Sequence, residues 1–370
     1  MAGMWSELRA ERVRREIVAT CREPISALEL LDRMSVLVEQ AVPTDASCWS
    51  TFDPATTMVT SAIGRGLDEQ GDDAVRFFEL EYALEAPGQY RTIASSGSAS
   101  LTLDASGPVS DLGQAATREH LQLMGIGQEL RVLFRQQSAA WGGAGLMRAT
   151  TSPRFTVEET SFLELVAPAI TAAVRAALVR GVPLGFTEID AGPAVLVLDR
   201  GEIVELTPAA AQWLDQLRLV DRGNSKLPAV VRAVVAHATG GRSVAQRALT
   251  GHGMWLVLRG APLGAERAVV TIEPAGPPAV TALLSAAMGL TGREVDVVTE
   301  VLRGSSTKEI AASLSLSAYT VQDHLKAIFA KAGVNSRREL IADVFFGVYA
   351  PRLGSPVSAN GFFSSADPGG

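Results

Sequence analysis

The sequence predicts a multidomain chain, with two α+β domains in series followed by an all-α domain of four helices. Three observations carry this. The chain has 370 residues, more than one hydrophobic core usually serves. Strand-and-turn patterns occur in two separate blocks, divided by "GVPLG" (181–185) and closed by "PAGPPAV" (274–280). From Leu290 onward the signals become helical, and each helix begins at a hydroxyl residue with capping character.

The first block opens with two helical stretches over 4–41, broken near Pro24; in the second, Leu28, Leu31, Met34, Leu37 and Val38 recur at helical spacing. "SCWSTF" (47–52) and "MVTSAIG" (58–64) flank the turn "DPAT" (53–56) and predict a hairpin. Residues 94–113 are rich in Gly and Ser and carry no clear pattern, whereas "QELRVLFR" (128–135) and "GAGLMRAT" (143–150) read as strands. Residues 152–180 read as one long helix. Thr156 and Glu159 form a capping box there, and Pro168 is a candidate kink. Phe162, Leu165, Val166, Ile170, Val174 and Leu178 make an apolar stripe. A stripe of this width is expected to bury itself partly against a second copy of the chain, giving a homodimer. The alternative is that it packs wholly on its own sheet together with the helix from 24–41.

In the second block, "PAVLVLDRGEIVELTPAAAQWLDQL" (193–217) predicts strand, tight turn at 199–201, strand, and a helix with Thr207 as N-cap and Pro208 at its first position. "SVAQRALTG", "MWLVLRGAPL" and "RAVVTIEPA" add three strand candidates.

Composition narrows the function. An apolar fraction of 47% is ordinary for a folded chain. No apolar run reaches the roughly 18 residues of a membrane span, and the charged start "MAGMWSELRAERVRRE" is unlike an export signal. Cys21 and Cys48 form no CxxC pair and the four histidines are scattered, so no metal site is expected and a cytoplasmic setting is. Cys48, inside a strand, reads as a small core residue. No nucleophile elbow, phosphate loop or argued acid/base pair is present, so no catalytic residue and no cofactor is expected.

Net charge is −7, yet Arg303 to Arg338 holds six basic residues against two acidic ones, a local net of +4. Such asymmetry is the footprint of contact with a polyanion. Capping boxes at Thr291/Glu294, Ser306/Glu309 and Ser336/Glu339 predict helices near 292–302, 307–314 and 337–345. Between the last two lies Ala318–Ala332, with Ser317 as N-cap and Thr320 where the others carry an acid. At about 100° per residue, Val321, Leu325 and Ile328 fall within roughly 60° of one another, and Tyr319, Gln322, Asp323 and Lys326 fall opposite. Two helices joined by a three-residue turn, the second polar on its outer face, make a helix-turn-helix pattern.

Three resemblances follow. "LTGREVDVV" (290–298), Gly304, "KEIAASLSLSAYTVQDHL" (308–325) and "KAGVNSRREL" (331–340) resemble the LuxR-type helix-turn-helix family. The sequence departs from the family at Gly292, where Pro is usual, and at Ala332, where Leu is usual. The likeness implies double-stranded DNA as partner, with Gln322, Asp323 and Lys326 at base edges and Thr307, Lys308, Thr320, Lys331 and Arg337 at phosphates. The strand, loop, strand and "RFTVEE" helix over 24–180 resembles a GAF domain, which implies a sheet-based sensory module with an unidentified small-molecule ligand. Residues 186–275 resemble a short PAS domain, without the Asn usual near Thr207. The expected division is therefore an N-terminal helix (1–23), GAF-like domain (24–180), PAS-like domain (186–275), linker (276–285), LuxR-type domain (286–348) and a disordered tail (351–370). The expected function is a one-component transcriptional regulator, with no membrane partner. A sigma-factor-like protein using the same helix-turn-helix is the alternative, and the strand-rich region 46–275 argues against it.

Overall fold

The computed structural model describes residues 6–67, 72–84, 88–109, 111–137, 139–179, 192–221, 227–251, 253–264 and 266–341. The boundary expected at 181–185 and the tail at 351–370 lie outside them. The described residues fall into two compact units, one ending at Pro274 and the other beginning at Ala275.

The first unit opens with α1 (Glu7–Thr20) and α2 (Ala27–Ala41), the latter capped by Ser26. The expected hairpin is β1 (Ala46–Asp53) and β2 (Met58–Arg65). Then come α3 (Asp72–Phe78), a π-helical turn at Glu79–Ala83, α4 (Tyr90–Ser96), β3 (Ser100–Asp104) and α5 (Leu112–Leu123). The unpatterned stretch 94–113 thus holds the end of one helix, a strand and the start of another. These pieces are too short to show a period. β4 (Ile126–Gln136), β5 (Ala139–Ala149) and α6 (Val157–Val179) complete the block. The strands form an antiparallel sheet in the order β2-β1-β5-β4-β3.

The capping box of α6 forms: the Thr156 amide donates to Glu159 at 2.9 Å and the Glu159 amide to Thr156 Oγ1 at 3.3 Å. The apolar stripe does not fit the expectation of a surplus. Phe162, Val166, Ile170, Val174 and Leu178 are buried, and Leu165 alone among the six is exposed. α6 packs against β4, β5, α1 and α2, so its stripe is covered within the chain. α6 is also long and apolar enough to cross a membrane, by length and composition, contrary to the sequence expectation. Here that apolar surface faces the fold.

The second block of strands is β6 (Ala194–Asp199), β7 (Glu202–Leu206), β8 (Val244–Leu249), β9 (Trp255–Pro262) and β10 (Arg267–Pro274). They pair antiparallel in the order β7-β6-β10-β9-β8, the same order as the first sheet. That shared order does not by itself separate a GAF-like from a PAS-like sheet. α7 (Pro208–Arg218) starts as expected, with Thr207 Oγ1 accepting from the Ala210 amide. α8 (Ala229–Thr239) is not evident in the sequence. Eight of its residues are buried, and it packs against β2 and the π turn as well as β8, β9 and β10. A helix buried all round has no polar face, so no amphipathic period marks it.

Polar contacts join the two sheets directly. Arg247 on β8 donates to Asp53 at the end of β1 through its backbone amide (3.0 Å) and its Nε (2.9 Å), and a further guanidinium contact closes the pair. The Asp53 side chain is 2% exposed and that of Arg247 11%. Beside them Gln246, fully buried, accepts from Thr56 and donates to the Met58 carbonyl. Removing one partner of a buried pair leaves an uncompensated charge. Asp53→Ala is therefore expected to destabilise this unit by about 3–5 kcal/mol in urea unfolding, with Asp53→Ala/Arg247→Leu costing less than the single change. A loss of under about 1 kcal/mol for Asp53→Ala would show that the pair does not tie the sheets together.

Candidate nucleic-acid interface

The second unit contains α9 (Pro277–Ala287), α10 (Gly292–Leu302), α11 (Thr307–Ser313) and α12 (Ala318–Ala332), and a further helical turn begins at 337. The segment 276–285, expected as a linker, is mostly helical. Its two prolines occupy the first helical positions, where their missing N–H groups cost nothing.

Each of α10, α11 and α12 begins at its expected cap. Thr291 and Glu294 exchange both bonds of a capping box, as do Ser306 and Glu309. At the third site the Glu339 amide donates to Ser336, but the Glu339 carboxylate takes the Asn335 amide, so only half of the box forms. Ser317 Oγ accepts from the Thr320 amide at 3.0 Å, and the Ser317 and Thr320 hydroxyls share a hydrogen bond of 2.8 Å. Gly333 ends α12 with φ +71, the left-handed conformation that stops a helix at little cost to glycine. Between α11 and α12, Ser315 takes φ +54 and turns the chain so that Leu316 packs on the core.

That core contains Val297, Val298, Val301, Ile310, Val321, Leu325, Ile328, Val334 and Leu340. α12 therefore buries the stripe its sequence predicts. Gln322, Asp323 and Lys326 are exposed on the other side, and Tyr319 is 72% exposed. Lys326 lies 3.7 Å from Asp323, and both are at least half exposed, so this pair is weak and can be exchanged for another partner. Lys308 is exposed, while Thr307 and Thr320 are half-buried.

Lys331 and Arg337, expected at phosphates, are engaged inside the domain. Lys331 Nζ donates to both oxygens of Glu294, at 2.9 and 2.6 Å, and so ties the end of α12 to the start of α10. Arg337 donates to the carbonyls of Val301 and Ser305. Sequence reading misses both roles because each partner lies more than thirty residues away. At the family's two departures, nothing stands within 4 Å of a Cβ built on Gly292, and Ala332 packs half-buried on the core.

Burial acts to raise the Glu294 pKa, but the Lys331 ammonium and the bonds from Thr291 outweigh it and hold the carboxyl below the ordinary value of 4.5. A depressed carboxyl stabilises the fold fully above its unfolded pKa and loses that contribution as pH falls through its folded pKa. Lys331→Met is expected to destabilise α10–α12 by roughly 1–2 kcal/mol near neutral pH. It should also flatten the loss of stability below pH 4.5. Amide exchange at Val297, Ile310 and Ile328 measures both. An unchanged acid slope would contradict the tie.

Comparison with known proteins gives three results. The family model for bacterial regulatory proteins of the luxR family matches residues 288–343. An uncharacterized transcriptional regulatory protein of Bacillus subtilis (strain 168), YhcZ, is 48% identical over 50 residues. Those residues are 14% of this chain and 23% of that protein, so the match spans about a quarter of the relative's length. Among solved structures, the GAF domain of the Acinetobacter phosphoenolpyruvate-protein phosphotransferase aligns over 46% of this chain and 95% of its own, at 14% identity and a TM-score of 0.31. The GAF domain of the corresponding Coxiella burnetii protein aligns over 48% and 99%, at 15% identity and a TM-score of 0.34.

Proposed function

From the premise that residues 288–343 form a luxR-family helix-turn-helix domain, we propose that the chain is a one-component, DNA-binding transcriptional regulator. In this reading α12 enters the major groove and the α+β unit controls it in response to a small molecule. The observation that carries the reading is the division of α12 itself: Val321, Leu325 and Ile328 lie in the core, and Gln322, Asp323 and Lys326 point out of it. A helix of this kind fits the major groove and can bring side chains to base edges.

Gln322 suits adenine and Lys326 suits guanine, while Asp323 beside phosphates is favourable only where it accepts from a cytosine amino group. Thr307, Lys308 and Thr320 lie near helix N-termini, where backbone contact fixes register without reading sequence. For Lys331 and Arg337 the internal ties support a positioning role beside any phosphate contact. Two copies of such a domain read half-sites about one helical turn apart. The proposal includes a homodimer whose contact lies outside the covered α6 stripe. A DNA-bound regulator implies a cytoplasmic protein.

Gln322→Ala and Lys326→Ala are each expected to lose about 1–3 kcal/mol of discrimination between a selected and a random duplex. Lys308→Ala should weaken both duplexes alike and reduce the salt slope by about one. Titrations at several salt concentrations measure these effects. Equal losses on both duplexes for Gln322→Ala and Lys326→Ala would refute the base contacts, and absence of binding to any duplex would refute the reading as a whole.

A further inference from the structure

A cavity of about 300 Å³ opens at the end of the first sheet, where β3 finishes, β4 begins and β5 finishes. That volume is at the lower end of the range for small-molecule sites. Gln128 and Arg148, paired across β4 and β5, both line it. Side chains alternate along a strand, so these two lie on the Trp49 face that α6 covers, opposite Glu129 and Met147. Ala105 and Ser106 stand on one side, Ser152 to Arg154 on another, and Arg118 and Gln122 of α5 close it.

The walls are held by bonds that fix their shape. Gln128 accepts the Phe155 amide at 3.0 Å and donates to Asp104 at 3.3 Å. Gln122 donates to the Ala105 carbonyl at 2.9 Å. A Cβ on Gly127 would stand 3.0 Å from Thr150 Cα, so the start of β4 needs a glycine to approach the end of β5 this closely. A cavity built in this way costs little to order when a ligand enters.

Three guanidinium groups and no carboxylate line the cavity. They differ in the donors they have left. Arg148 spends its own on Glu159, at 2.7 and 3.1 Å, and on the carbonyls of Pro43, Pro153 and Arg154. Arg154 pairs with Asp104 and is still 64% exposed, so that pair is exchangeable. Arg118 is half-buried and makes one bond, from Nη1 to the Gly107 carbonyl at 3.2 Å. Among the described residues no carboxylate pairs with it. The acids nearby are engaged elsewhere: Asp45 accepts the Ala149 amide at 2.8 Å, and Asp104 accepts the Ser106 amide at 2.9 Å besides Arg154. Arg118 therefore brings most of its five N–H donors unused to the wall of a formed cavity. A planar fork of this kind matches an oxyanion two oxygens at a time.

We propose that this cavity binds a small molecule carrying an oxyanion, either a carboxylate or a phosphate monoester. Arg118 takes the anion, Arg154 is the second cation within the cavity, and the body of the ligand lies over Ala105, Ala149 and Pro153. This names the place and chemical class of the small molecule to which the α+β unit responds. Only the consequence of binding for transcription rests on the regulator reading.

Saturation-transfer NMR on the full chain tests the site with three probes that share one small body: glycerol 3-phosphate, glycerate and glycerol. At least one of the anions is expected to reach half-saturation at a concentration about tenfold lower than glycerol, and the tighter anion identifies the oxyanion class. Arg118→Gln should raise that anion's midpoint about tenfold. Arg118→Lys, which keeps the charge without the fork, should raise it about threefold. Arg154→Gln, on a different segment, should raise it about threefold and carries the comparison if substitution on α5 impairs folding. Glycerol binding as tightly as the better anion would overturn the proposal. So would midpoints equal to wild type in the folded Arg118 and Arg154 variants, or transfer from neither anion. No DNA enters the measurement, so its failure leaves the duplex titrations untouched, and theirs leaves this site.

Discussion

Burial of Val321, Leu325 and Ile328 in one small core fixes everything else about the C-terminal domain. Those three positions share one side of α12, so their burial dictates which residues remain outside. Rotating the helix by one residue would bring Gln322 inward without a partner and expose valine and leucine. Each error costs about 1–3 kcal/mol. The rest of the domain serves this orientation. The capping boxes of α10 and α11 set where those helices begin, Ser315 and Leu316 fix the turn, and Glu294 with Lys331 anchors the far end of α12.

The same kind of constraint operates in the α+β unit at longer range. Two sheets of identical strand order meet through β8 and the β1–β2 hairpin, with α8 packed against both. A buried ion pair is weak evidence for stability in itself, but its geometry admits few alternatives. Asp53 accepts from a backbone amide and a guanidinium of β8 at once, and Gln246 bonds the same hairpin. These contacts specify how the halves dock. They bring together residues that lie far apart in sequence.

What was legible in the sequence was local. Thr291 with Glu294, Ser306 with Glu309 and Thr156 with Glu159 are three residues apart, and each forms the box its spacing predicts. Both hairpins, and the N-cap at Thr207, follow from turn chemistry in the same way. The outward face of α12 was legible because one helical period decides it. The missed features depend on partners elsewhere. α8 lacks a polar face because both sheets cover it, and most of the α6 stripe is covered by α1, α2 and the sheet. Cys48, read as a core residue, is half-buried and packs against Ala105, Leu121, Ile126 and Met147. Lys331 and Arg337 read as phosphate contacts, and their ties to Glu294 and to the Val301 and Ser305 carbonyls, more than thirty residues away, carry no local signal.

The central claim is that the outward face of α12 reads the major groove. Methylation interference on a selected duplex tests it most directly, because dimethyl sulfate marks guanine N7 in the major groove and adenine N3 in the minor groove. The account predicts that duplexes methylated at guanine N7 within the half-sites are lost from the bound fraction, and that Lys326→Ala relieves this at one position. Interference confined to adenine N3, with N7-methylated duplexes bound as well as unmodified ones, would contradict it.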